Sequence, residues 1–139
     1  MPDRLTPAER SAHMRRIRKR DTKPELVVRR LTHALGFRYR LHRRDLPGTP
    51  DLVLPRHRKV ILVHGCFWHQ HEGCALARQP KSRPEYWLPK LRRNAARDRS
   101  ARLALEAAGW RCLVIWECET DDVDLVLGKL RAFLLGGER

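Results

Sequence analysis

Leu26, Val27, Leu31 and Leu35 recur at the three-and-four spacing of one helical face, and mostly polar residues fill the gaps. The spacing predicts a helix over residues 22–35. Thr22 and Glu25 stand in the S/T-x-x-E relation of a capping box, Pro24 falls in the first turn where a missing N–H costs little, and Gly36 supplies the stop. The rhythm then shortens. Residues 37–41 alternate apolar and basic, which predicts a strand, and Leu46-Pro47-Gly48-Thr49-Pro50 predicts a turn. Residues 51–54 and 59–63 are β-rich runs on either side of Pro55-Arg56-His57-Arg58, the pattern of a hairpin with a four-residue loop. Residues 64–84 show no period. Residues 84–108 predict a long helix with Pro89 in its first turns and Gly109 at its end. Residues 110–116 are nearly all apolar, as in a strand buried on both faces. Asp121 or Asp122 then caps a last helix carrying Val123, Val126, Leu127, Leu130 and Leu134. Helix, three strands, helix, strand, helix is the order of an α/β fold with a central mixed sheet flanked by helices. Upstream, residues 7–20 form a basic helix candidate with Met14 and Ile17 as its apolar positions.

Charge changes this picture more than length does. Thirty Lys and Arg against 16 Asp and Glu leave +14 on 139 residues, a size that fits one domain over 1–139. Arg outnumbers Lys, and its planar fork matches two phosphate oxygens. Such a field predicts nucleic-acid binding that weakens steeply with salt. Arg15, Arg16, Arg18, Lys19, Arg20, Lys90, Arg92 and Arg93 are the candidate phosphate contacts. No run approaches the ~18 apolar residues of a membrane span, and residues 1–20 lack the apolar stretch of a secretory signal. The expected compartment is the cytoplasm, where cysteines read as metal ligands or core residues before disulfides.

The aperiodic stretch carries the chemistry. His64-Gly65-Cys66-Phe67-Trp68-His69-Gln70-His71-Glu72-Gly73-Cys74 packs two cysteines and three histidines into eleven residues, and Cys118 follows the last strand. Structural zinc takes four Cys or His ligands, so Cys66, His71, Cys74 and Cys118 form a candidate set of three cysteines and one histidine that would staple the loop to the sheet. Cys112, inside an apolar run, reads as a small buried hydrophobe. In the predicted hairpin Leu54 faces Lys59, which brings Asp51 opposite Leu62 or Val63. A carboxylate and a main-chain carbonyl at one end of a sheet are oxygen ligands suited to Mg2+. His64 and His69 lie just beyond, where an imidazole can take a proton from a water attacking phosphate.

Pro47-Gly48-Thr49-Pro50-Asp51, the string from His64 to His71, Trp110-Arg111 and Trp116-Glu117-Cys118, with Met14-Arg15, Arg20-Asp21-Thr22 and Glu25 upstream, resemble the very short patch repair endonucleases over roughly residues 8–135. The resemblance implies a restriction-endonuclease-like fold and Mg2+-dependent nicking of the strand that carries the thymine of a T·G mismatch, the product of 5-methylcytosine deamination. It implies Asp51 as the central Mg2+ ligand with the Val63 carbonyl assisting, and His69 as general base. His64 and Glu25 would hold waters around the cation or support the base, beside the capping role that spacing alone gives Glu25. It also implies zinc at Cys66, His71, Cys74 and Cys118. Phe67, Trp68 and Trp87 become wedges that open the base stack, with Met14, Arg15 and Arg20 of the N-terminal helix reaching the other groove. Trp110 and Trp116 read as mainly core. The partner implied is double-stranded DNA with a T·G mismatch, bound by a monomer, and the family also allows a mismatch-repair accessory protein. Where the wider nuclease superfamily carries Glu-x-Lys, this chain has Val63-His64-Gly65, a replacement that the repair family shares. Two rival readings are a related nuclease with another target and a zinc-stapled DNA-binding protein without catalysis.

Overall fold

The computed structural model describes residues 21–77 and 83–136. Helix α1 (Lys23–Ala34) is followed by strands β1 (Arg40–Leu41), β2 (Leu52–Leu54) and β3 (Lys59–His64), then helix α2 (Pro84–Ala107), strand β4 (Arg111–Trp116) and helix α3 (Val123–Leu134). The strands form one four-stranded sheet in the order β1-β2-β3-β4. The first two pairings are antiparallel, and β4 lies parallel to β3 after the α2 crossover. Leu54 pairs with Lys59, the register expected from the hairpin. The predicted helix at residues 7–20, with Met14, Arg15 and Arg20, lies outside the described residues.

Alternation along the strands sorts side chains onto two faces. Leu52, Leu54, Ile61 and Val63 join Ile115 and meet Val28 of α1 and Val126, Leu130 and Leu134 of α3. Val53 and Val60 face the other way and pack with Leu105 of α2 and Trp110. Each fully buried Leu or Ile in these layers contributes about 1.5–3 kcal/mol relative to exposure. Lys59 is buried too, and alternation points it at α3. There its Nζ donates to the Phe133 carbonyl at 2.7 Å, in the last turn of the helix, where the dipole is negative.

Local chemistry explains the element ends. The Thr22 hydroxyl accepts the Glu25 N–H at 3.4 Å, while Glu25 reaches back one residue beyond the usual capping box to the Asp21 N–H at 2.8 Å. Asp122 is the cap of α3, accepting from the Leu125 N–H at 3.1 Å. Arg58, in the left-handed region at φ 52°, donates from Nη2 to the Ala108 carbonyl at 2.7 Å and stacks its guanidinium 4.8 Å from the Trp110 ring. The hairpin tip is thereby tied to the end of α2.

Three expectations need correction. Leu26 does not belong to the buried stripe of α1: it is 39% exposed, and the inward face is Glu25, Val28 and Thr32. The strand over residues 37–41 shrinks to Arg40–Leu41, because β2 offers it only two partners before the chain leaves the sheet. Pro89 is the sixth residue of α2, within its first turns as expected but deep enough that one intrahelical hydrogen bond is forfeited there. The doubly buried strand is β3, not residues 110–116: β4 is the sheet edge, and only Ile115 in it is buried. An apolar run alone does not distinguish a central strand from an edge strand.

Candidate active site and metal centre

The end of the sheet where β3 finishes gathers the reactive residues. Asp51 precedes β2, and its Oδ2 accepts the Val63 N–H at 2.6 Å. Burial pushes this carboxyl up to about 6, against the opposing pull of the Val63 N–H; Glu25 raises it further, and His42 and His69 draw it down. A carboxylate desolvated next to another carboxylate is a place where a cation would be stabilising. Glu25 lies almost fully buried on the inner face of α1. Its Oε1 accepts from the Asp21 N–H at 2.8 Å and from Arg29 Nη2 at 3.0 Å, and it meets His42 Nε2 at 3.2 Å. The same Nε2 of His42 lies 4.0 Å from Asp51 Oδ1.

His64 and His69 stack face to face with centroids 4.0 Å apart and planes 5° from parallel. Alternation along β3 turns His64 to the α2 side, and α2 supplies Asp98, whose carboxylate hydrogen-bonds His69 Nδ1. Burial holds His64 down to about 4, with the neighbouring His69 lowering it further, so His64 is a neutral ring at pH 7. Among the described residues its Nδ1 is buried without a hydrogen-bond partner.

The second centre lies behind this one. Donor atoms of Cys66, His71, Cys74 and Cys118 all fall within 4.8 Å of one another. His71 Nδ1 is 3.6 Å from Cys66 Sγ and 3.5 Å from Cys118 Sγ. Tetrahedral zinc with bonds of about 2.3 Å to sulfur and 2.0–2.1 Å to nitrogen needs those separations near 3.5 Å. Burial pushes the Cys66 thiol up to about 12 and raises Cys118 as well, whereas Cys74, against its own desolvation, is lowered by the Leu76 N–H and by its bonds to Cys66 and Cys118. The Cys66 N–H donates to Glu117 Oε1 at 3.2 Å, and the Cys118 N–H to Cys66 Sγ at 3.4 Å. Trp116 links the two centres. It stacks on His71 at 4.1 Å and meets the edge of His64 at 5.2 Å, so it serves the site as well as the core. Trp110 is buried, as expected. Cys112 stands apart from the donor cluster, against the smaller core layer.

Phe67, Trp68 and Trp87 come together with ring centroids 5.1–5.9 Å apart, all partly exposed. Lys90 lies 6.0 Å or less from the Trp68, Tyr86 and Trp87 rings. Tyr86, half exposed beside Trp87, extends the aromatic patch beyond the sequence expectation.

Sequence reasoning missed His42, Asp98 and Arg29. The strand register held the signal for one of them: with Leu41 opposite Leu52, His42 falls opposite Asp51, and its N–H donates to the Asp51 carbonyl at 3.2 Å.

A carboxylate and a carboxylate-held histidine at one sheet end, beside soft metal donors on a chain of charge +14, fit an enzyme that hydrolyses a nucleic-acid backbone. The chain belongs to the DNA mismatch endonuclease Vsr family, whose pattern matches residues 2–76. It is 51% identical over 134 residues to the type II nicking enzyme V.XorIIP of Xanthomonas oryzae pv. oryzae, covering 96% of this chain and 98% of that one. It is 43% identical over 118 residues to the DNA mismatch endonuclease Vsr of Escherichia coli, with 85% and 75% covered. The type II nicking enzyme V.NmeAIP of Neisseria meningitidis is 40% identical over 119 residues, with 86% and 84% covered. No described helix is long and apolar enough to cross a membrane.

Proposed function

We propose that this protein nicks double-stranded DNA at T·G mismatches, acting as a monomer with one restriction-endonuclease-like domain over 1–139, and that the nick starts repair. The observation that carries the reading is the convergence at one sheet end of Asp51, braced by the Val63 N–H, with the stacked His64–His69 pair that Asp98 holds. Mg2+ held by Asp51 and the Val63 carbonyl would neutralise charge gathering on the scissile phosphate. A strand residue turns its carbonyl toward the same neighbour as its N–H, which supports Val63 as the second ligand.

His69 is the general base. With Nδ1 committed to Asp98, its Nε2 is left to accept the proton of the attacking water, and the carboxylate steadies the imidazolium that forms. His64, neutral and stacked beneath it, fixes the ring plane. Glu25, anchored by Arg29 and the Asp21 N–H, would hold waters around the cation or support the base. Hydrolysis leaves a 5′-phosphate and a 3′-hydroxyl. Zinc at Cys66, His71, Cys74 and Cys118 supplies the anchor for the loop between β3 and α2. Phe67, Trp68 and Trp87 wedge into the base stack, a step that is cheapest at a mismatch. Met14, Arg15 and Arg20 contact DNA from the N-terminal segment.

The deciding experiment uses end-labelled duplexes with T·G, the other mismatches, an unpaired bulge and matched controls, with Mg2+ and with EDTA. Nicking of the thymine strand of T·G alone, abolished by EDTA, is the expected result. Equal nicking of matched duplexes would sink the mismatch assignment. A second prediction isolates the base. Asp98→Asn should lower the nicking rate about 10- to 100-fold with DNA affinity unchanged, and should move the acidic limb of the pH–rate profile. An unaltered profile and rate would remove Asp98 from the mechanism.

A further inference from the structure

His42 is placed in a way that ordinary loop structure does not require. Its backbone lies in the left-handed region at φ 47°, which histidine enters more readily than most side chains. Its N–H is tied to the Asp51 carbonyl, and its ring is largely buried between two carboxylates from different elements, Glu25 of α1 and Asp51 before β2. Ligand atoms of Glu25, His42 and Asp51 all lie within 4.8 Å of one another. His42 Nε2 is 3.2 Å from Glu25 Oε1 and 4.0 Å from Asp51 Oδ1. Octahedral coordination with bonds of about 2.1 Å spaces neighbouring donors about 3 Å and opposite donors about 4 Å apart. The Val63 N–H takes Asp51 Oδ2, which leaves Oδ1 on the His42 side.

Charge agrees with the spacing. Asp21, Glu25 and Asp51 are three carboxylates around this point, and Arg29, which bridges the first two, is the guanidinium among them. The balance stays negative, as a dication needs. Arg29 and the Asp21 N–H both donate to Glu25 Oε1, so the acceptor capacity left on this carboxylate lies mainly on Oε2.

We propose that His42 Nε2 is a direct nitrogen donor to the cleavage-centre cation, completing a Glu25–His42–Asp51 set that favours Mn2+ or Co2+ over Mg2+. Imidazole binds these ions better than the hard, strongly hydrated Mg2+, which carboxylates and carbonyls satisfy on their own. The inference rests on the reading of Asp51 as the cation's central ligand and adds to it a residue that selects the ion.

The test is direct ion binding to the full-length, zinc-loaded protein, without DNA. Mn2+ and Mg2+ are titrated separately, and bound Mn2+ is examined by electron spin echo modulation for a nitrogen ligand. His42→Asn is the main variant, because asparagine tolerates the left-handed backbone and replaces nitrogen with oxygen; His42→Ala is the second. Expected are nitrogen modulation in the wild type and its loss in both variants. Mn2+ affinity should fall about tenfold or more, while Mg2+ affinity changes less than about threefold. Unchanged modulation and an unchanged Mn2+-to-Mg2+ ratio in both variants would overturn the role of His42. Asp51→Asn is the reference: if it binds both ions as the wild type does, the cleavage-centre reading itself fails, whatever His42 does.

Discussion

Asp51→Asn should slow nicking by about 10^3-fold or more while shifting DNA affinity at fixed salt by less than about threefold. The substitution is nearly isosteric, and the amide oxygen can still accept the Val63 N–H that Asp51 now accepts at 2.6 Å. What it removes is the negative charge that, under the proposed function, would hold the cation. Stabilising phosphate charge in the transition state is worth several kcal/mol, and each 1.36 kcal/mol is tenfold in rate. Under the proposed function, affinity for DNA would rest on the basic surface and the aromatic patch, which the change does not touch. Single-turnover nicking of a T·G duplex, with binding measured separately, checks both halves. A variant that nicks at the wild-type rate would falsify the assignment.

The same carboxylate carries a pH signature. Without a divalent ion, its pKa is raised from the ordinary 3.8 to about 6, so the folded chain keeps a proton that the unfolded chain releases. That contribution to stability is fully present below 3.8 and is lost as pH rises through about 6. A bound cation reverses the sign, because it competes with the proton for the same oxygens. The Mg2+ concentration needed for half-maximal stabilisation should therefore fall as pH rises from 5 to 7, about tenfold per pH step below the pKa. Melting curves over a Mg2+ and pH grid measure this; a requirement for Mg2+ that does not vary with pH would argue against Asp51 as a ligand.

Much of this centre was legible before any coordinates, and the reason is local. Thr22, Glu25 and Gly36 bound a helix through interactions four residues apart or less, and the hairpin loop ties Leu54 to Lys59. Asp51 and Val63 then follow by counting along two strands. Cys66, His71 and Cys74 sit within one loop, and Cys118 enters because β4 runs parallel to β3 with Trp116 beside His64. Asp98 was not legible: it is 29 residues from His69 on a helix crowded with charges, and only the packing of α2 on the sheet selects it. His42 needed the β1–β2 register, which a two-residue strand hardly announces. The exposure of β4 was missed for a related reason, since an apolar run encodes cover on its faces but not whether another strand lies alongside.

The loop that carries His69, Phe67 and Trp68 should lose its shape when the set of three cysteines and His71 is broken, a defect that reaches binding as well as cleavage. Cys66 follows β3 and Cys118 follows β4, so zinc would clamp the ends of two paired strands to His71 and Cys74 of the loop. Zinc binding in small peptides amounts to about 10–16 kcal/mol of folding free energy. Here two apolar layers hold the sheet without it, so the damage should be local rather than global. Cys118→Ala should bind zinc below one equivalent and lose hydrogen-exchange protection over residues 65–77, while β2 and β3 keep theirs. Nicking and mismatch affinity should fall together, by about 100-fold or more, because base and wedge share the failing loop. Asp51→Asn separates these two quantities and Cys118→Ala does not, which is how a lost ligand differs from a lost scaffold. His71→Cys in the otherwise wild-type chain offers a control, since an all-cysteine set of four thiolates also suits zinc and should retain stoichiometric metal and much of the nicking. A zinc-free protein that binds and nicks T·G duplexes like the wild type would show that the donor cluster is not what holds the loop.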